Sequence, residues 1–108
     1  MASLVSVTVT AATESALAEI VAVLVEERLV ACGNIVPAIR SIYRWGDAVH
    51  DDHEALALLH TTAALAEAVI RRISELHDYD VPQALAVPIS HAQPDYAAWV
   101  ESVTQQQP

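Results

Sequence analysis

The chain reads as an α+β domain of the ferredoxin-like, split βαβ type, with an antiparallel sheet and helices on one face. Three observations predict this. The apolar pattern changes period in the order strand, helix, strand, strand, helix, strand, and a short helix closes the chain. The two middle strands are joined by Gly46-Asp47, which is turn chemistry. No other arrangement uses these elements as economically. At 108 residues the chain has the modal size of one domain, assigned to 1–108 without a linker.

Residues 4–10 alternate, with Val5, Val7 and Val9 on one face and Ser6, Thr8 and Thr10 on the other, as in a half-buried strand. Thr13 is placed to cap a helix, and Glu14 and Glu19 lie near its positive end. Leu17, Ile20, Val21 and Leu24 follow the helical period, and Arg28 is expected to close the last turn. A second extended stretch covers 31–45, with Ile35, Ile39, Tyr43 and Trp45 at even spacing. Pro37 lies inside it, so the strand is an edge there or carries a bulge.

Residues 48–61 read as the returning strand, and Thr62 as the cap of a second helix with Leu65, Val69, Ile73 and Leu76 inward. Residues 80–82 break the pattern. Residues 84–89 form an apolar strand in which Pro88 marks an edge or a bend. Pro94 opens a short last helix with Tyr96, Trp99, Val100 and Val103 on its inner side. The glutamine-rich end, 105–108, is expected to fray.

The middle hairpin is too long for its own body. A domain of this size is about 35 Å across, whereas a strand of about 14 residues reaches about 45 Å. The overhang carries Ile42, Tyr43, Trp45 and Val49. Two strands alone in water are marginal, and exposed aromatics at a strand edge are usually covered. Other copies of the chain are therefore expected to cover the overhang at those four residues. The competing expectation is that Pro37 breaks the stretch in two and the tip folds back.

Composition excludes several classes of function. Twenty alanines and 14 valines, with no phenylalanine, make a core of small and β-branched side chains. The net charge is −9, and all five bases are arginines. Phosphate backbones need clustered cations, and Arg71-Arg72 is the one adjacent basic pair, so nucleic acid and anionic membranes are not expected as partners. The first ten residues lack the basic start and cleavage region of a signal peptide, and no apolar run reaches bilayer length. One cysteine, Cys32, allows no internal disulfide, which agrees with a cytoplasmic setting. No Ser/His/Asp set at catalytic spacing and no Gly-rich phosphate loop is present, so no enzymatic activity is expected.

Three groups of residues could carry chemistry. Cys32 is a thiolate donor suited to copper(I) and, less well, zinc; a small core residue near the start of the second strand is the alternative. His50-Asp51-Asp52-His53 is the densest donor run. Its histidines suit copper(II), zinc or nickel, but a spacing of three puts them on opposite strand faces unless the segment bulges. Glu54, His60, His77, Tyr79, Gln83, Tyr96 and Trp99 form a third constellation. Glu54 and His60 share a strand face. If the ends of helix two and the last strand meet them, the result is an aromatic-walled cleft for a metal or small ligand; interface packing with satisfied polar tips is the alternative.

Four motifs in order carry a resemblance. Leu24-Val25-Glu26-Glu27-Arg28-Leu29-Val30-Ala31-Cys32 is followed by Asn34-Ile35-Val36-Pro37 and Ser41-Ile42-Tyr43-Arg44-Trp45. Leu76-His77-Asp78-Tyr79-Asp80-Val81-Pro82 comes next, and Pro88-Ile89-Ser90-His91, Asp95-Tyr96 and Trp99-Val100 close the series. Together they resemble the CutA family of divalent-cation tolerance proteins. The resemblance implies a homotrimer held by long hairpins, a role linked to copper or other divalent metals, and Cys32 as a copper contact. The chain departs from the family's usual residues at His60, Gln83, Asp78, Asp47-Ala48 and Ala92. The function expected is a non-enzymatic, trimeric, metal-responsive protein; the alternative is a small-molecule-sensing trimer with ligand sites at subunit junctions.

Overall fold

The computed structural model describes residues 3–106. Its elements are β1 Leu4–Ala11, α1 Glu14–Glu26, β2 Cys32–Trp45, β3 Ala48–Thr62, a 3₁₀ turn Ala63–Leu65, α2 Ala66–Leu76, β4 Ala84–Pro88 and α3 Pro94–Val103. The sheet runs in the order β2-β3-β1-β4, every neighbouring pair antiparallel. The α+β split βαβ arrangement with a long central hairpin and an extra C-terminal helix is as the sequence predicts.

Local chemistry sets most boundaries. The Thr13 hydroxyl accepts from the Ala16 amide at 3.1 Å and caps α1. The other end of α1 differs from expectation. The helix stops at Glu26, and Arg28 takes a left-handed φ of 60°. The Arg28 amide donates to Val25 O and the Leu29 amide to Leu24 O, both at 3.0 Å, which is a Schellman cap with arginine where glycine is usual. Thr62 makes no side-chain cap, because the 3₁₀ turn intervenes and feeds directly into α2.

Gln105 is docked rather than frayed: its amide donates to Arg28 O and its side-chain Nε2 to Glu27 O, both at 2.8 Å. Residues 107–108 of the expected frayed end lie outside the described residues.

The main core lies between the sheet and helices α1 and α2. Val5, Val7 and Val9 of β1 and Ala55, Ala57 and Leu59 of β3 meet Leu17, Ile20, Leu24, Val69 and Ile73. Helix α3 packs elsewhere. Its Ala97 and Val100 form a second, smaller core with Leu4 and Ala31 on the opposite sheet face. The buried line of α3 is therefore Ala97–Val100, and Tyr96 and Trp99, expected inward, stand beside that line at 37% and 43% exposure.

Pro37 lies both on an edge strand and in a bulge. Val36 pairs with Leu56 and Ile39 with Glu54, so Pro37 and Ala38 together oppose Ala55. The bulge does not fold the tip back; β2 continues to Trp45. It does move Ile35 and Ile39 to opposite faces despite their even spacing: Ile35 packs on the main core, and Ile39 pairs with Glu54. Past Ala55, β3 has no partner but β2, so 39–45 and 48–54 project as a two-stranded arm. The arm gives the chain its 45 Å longest dimension against 26 and 22 Å. On it Ile42, Trp45 and Val49 are 63%, 59% and 61% exposed.

Candidate functional site

Two groups of functional side chains form on the sheet face that α1 and α2 leave open. The first grows from the β2–β3 ladder. The two-residue turn, with Gly46 at φ 62°, aligns Trp45 with Ala48. After the bulge the ladder places Cys32 opposite His60. Helix α3, capped by Gln93 accepting from the Tyr96 amide at 2.7 Å, lays Tyr96 over the pair.

Cys32 Sγ is 3.6 Å from His60 Nδ1, and the Tyr96 hydroxyl lies 2.7 Å from that nitrogen and 3.1 Å from the sulfur. The Tyr96 ring meets His60 edge-on and leans against Trp99. Burial, with help from Cys32, pushes the Tyr96 phenol up to about 12.

The second group lies at the root of the arm. Tyr79, in the loop after α2, donates to Glu54 Oε2 at 2.9 Å, and Tyr43 donates to Asp52 Oδ2 at 2.6 Å. Burial first, then the Glu54 carboxylate, pushes the Tyr79 phenol up to about 12. Gln83, Trp45 and Asp80 complete the walls of a cleft of about 690 Å³. Glu54 and His60 are six positions apart on β3, which is about 20 Å. The constellation the sequence proposed thus divides in two: His60, Tyr96 and Trp99 join Cys32, while Glu54, Tyr79 and Gln83 line the cleft.

His77 belongs to neither. Its Nδ1 accepts from the Tyr79 amide at 3.0 Å, leaving Nε2 to donate to Thr10 O at 2.7 Å. Both ring nitrogens are occupied in holding the α2–β4 loop against β1. The donor run on β3 is also dispersed. His50 stacks on Tyr43, with ring centroids 5.3 Å apart. His53 pairs with Arg40 on the other face, and Asp51 is held there by the Arg40 guanidinium, which keeps its carboxyl below the usual range. His50 lies about 30 Å along β3 from His60. The structure therefore does not bring His50 and His53 to Cys32. Among the described residues no three His, Cys, Asp or Glu side chains converge as a metal centre would.

Sequence reasoning missed the pairing of Cys32 with His60 and the part played by Asp52 and Asp80. The first was countable. A turn centred on 46–47 plus one extra residue at Pro37 puts 60 opposite 32. Asp80 carries no such signal, because a loop's position follows from packing.

A split βαβ sheet with one open face, an overlong arm and polar clusters at both ends of that face defines the class: a small ferredoxin-like binding domain. Residues 5–103 match the family described as CutA1 divalent ion tolerance protein, and the chain belongs to that family. It is 41% identical over 98 residues to the divalent-cation tolerance protein CutA of Thermus thermophilus, covering 91% of this chain and 95% of that one. It is 36% identical over 97 residues to the mouse protein CutA, covering 90% of this chain and 55% of the mouse protein. The chain thus spans about half the length of some of the relatives it matches. Among solved structures, CutA1 from Oryza sativa superposes with a TM-score of 0.94 at 32% identity, covering 98% of this chain and 97% of that one.

Proposed function

We propose that the chain is a non-enzymatic, metal-responsive protein that holds copper at Cys32 and His60 and works as a homotrimer. The observation behind the metal site is the 3.6 Å separation of Cys32 Sγ from His60 Nδ1. Sulfur and nitrogen ligands of one tetrahedral ion, with zinc-like bond lengths, stand about 3.6 Å apart. A thiolate with an imidazole selects soft copper(I) over hard cations. The Tyr96 hydroxyl touches both donors and supplies an oxygen. Further ligands come from solvent or from a second copy on the open sheet face. The family's description as divalent ion tolerance proteins suits this reading. A reducing, cytoplasmic setting would keep the thiol available.

The trimer rests on the arm and the open face. Ile42, Tyr43, Trp45 and Val49 on the arm, with Val36, Leu85 and Val87 on the sheet, leave more apolar surface exposed than a lone domain retains. Light scattering should give three chain masses, and Ile42→Asp with Val49→Asp should reduce them to one. A single mass for the unaltered chain would refute the assembly.

Copper(I) competition titrations test the site. Cys32→Ser and His60→Gln should each weaken binding by about tenfold to a hundredfold. His53→Gln should leave it unchanged. Equal affinity across all the variants would remove the site. A second reading, small-molecule sensing, is favoured by the aromatic and acidic cleft at the root of the arm.

A further inference from the structure

We propose that the cleft at the root of the β2–β3 arm binds an organic ammonium cation. The inference deepens the small-molecule reading by naming the ligand class, and it does not depend on copper at Cys32. Charge decides the sign of the ligand. Glu54 and Asp80 line the cleft, and Asp52 is tied to it through the Tyr43 hydroxyl. Arg40 is the basic side chain in the lining, and Asp51 already grips it through both Nε and Nη2. Among the described residues neither Asp52 nor Glu54 has a basic partner within ion-pair distance. The space is left with uncompensated negative charge.

Hydrogen bonding points the same way. Tyr43 and Tyr79 spend their protons on Asp52 and Glu54, so the phenol and carboxylate oxygens offer lone pairs to whatever enters. The same carboxylates raise both phenols, which keeps these donors in place at neutral pH. An anion would meet acceptors and no free cation.

Shape separates an organic cation from a metal ion. Tyr43, Trp45 and Tyr79 present aromatic rings, and Ile42 and Val81 add apolar wall. Aromatic faces attract ammonium groups, methylated ones included. A volume of about 690 Å³ suits a small organic molecule and far exceeds an ion.

The test is an NMR titration of the purified protein, following the Trp45 indole N–H. The probes are choline, its neutral isostere 3,3-dimethylbutan-1-ol, and magnesium chloride. Choline should shift that resonance and bind at least about tenfold more tightly than the alcohol. Glu54→Gln should weaken choline by about fivefold or more, and so should Trp45→Leu, a change at an exposed site. Cys32→Ser should leave choline binding unaltered.

Equal binding of the alcohol would overturn the proposal while sparing the small-molecule reading. Magnesium displacing choline at matched ionic strength and equal concentration would make this an inorganic cation site and overturn it too. No response to either organic probe up to roughly 10 mM would sink both readings.

Discussion

Cys32 and His60 are 28 residues apart in the chain and face each other across the β2–β3 ladder, sulfur 3.6 Å from ring nitrogen. Their meeting depends on the Gly46-Asp47 turn and the single bulge at Pro37-Ala38, because every residue of β2 before the bulge is set by both. The Tyr96 hydroxyl from α3 then ties a third element to the pair. Local backbone chemistry and long-range packing both enter the same small cluster.

All three tyrosines of the chain carry phenols raised above the ordinary value: Tyr43 beside Asp52, and Tyr79 and Tyr96 chiefly through burial. A phenol whose folded pKa exceeds its unfolded one adds stability below about pH 10. That stability is lost as pH rises from about 10 toward 12. Tyrosinate absorbance in the native protein should therefore develop only above pH 10. Thermal melts should fall steeply across that window, and less steeply for Tyr79→Phe with Tyr96→Phe. Ordinary titration of all three phenols would refute the bonded geometry.

Gly33 has no room for a side chain. A Cβ there would lie 2.6 Å from Val21 Cγ1 and 2.8 Å from Leu59 Cδ2, where α1 presses on the hairpin. Gly33→Ala should cost about 1–3 kcal/mol in denaturant unfolding. Adding Val21→Ala should cost less than the two single changes summed.

Thr61 is fully buried, and its hydroxyl donates to Leu29 O at 2.7 Å. Thr61→Val keeps the shape but leaves that carbonyl without its partner. A loss of about 1–3 kcal/mol is expected. Thr61→Ser should keep the bond and lose less. Hydrogen exchange would place the weakening at the link between α1 and β2.

Arg72 on α2 grips Glu27 at the end of α1 through Nε and Nη2, at 2.9 and 2.8 Å. The hydrogen bonds from Arg72 hold the Glu27 carboxyl below its usual range. A depressed carboxylate contributes stability above its unfolded pKa, about 4.3, and the contribution disappears as pH falls through the folded value. Melting temperature should drop on acidification below about pH 4.5. Arg72→Met should be less stable at pH 7 and show a shallower acid slope. The pair is partly exposed, so added salt should shrink the difference.

Much of the fold was legible because short-range rules act alone where they were used. Alternation of Val5, Val7 and Val9 needs only the pleat, Thr13 only the free amides of one helix turn, and Pro94 only its fixed φ. Pro37 was legible too, because a missing N–H restricts a strand wherever it occurs. The misplaced details share a different cause. Tyr96 and Trp99 have helical spacing with Val100 and Val103, but which of these face inward depends on where α3 lands. The imidazole of His77 looked like a ligand until the loop brought Thr10 O and the Tyr79 amide to its two nitrogens.

The order of elements, the overlong hairpin, its bulge and the acidic, lysine-free surface follow from the residues alone, since periodicity, turn chemistry and charge are properties of neighbours along the chain. Which donors share a site was decided only by the folded chain. Sheet register and the seat of α3 sum packing forces over the whole core, and these put Cys32 with His60 and Tyr96 while leaving Glu54 and Tyr79 about 20 Å away.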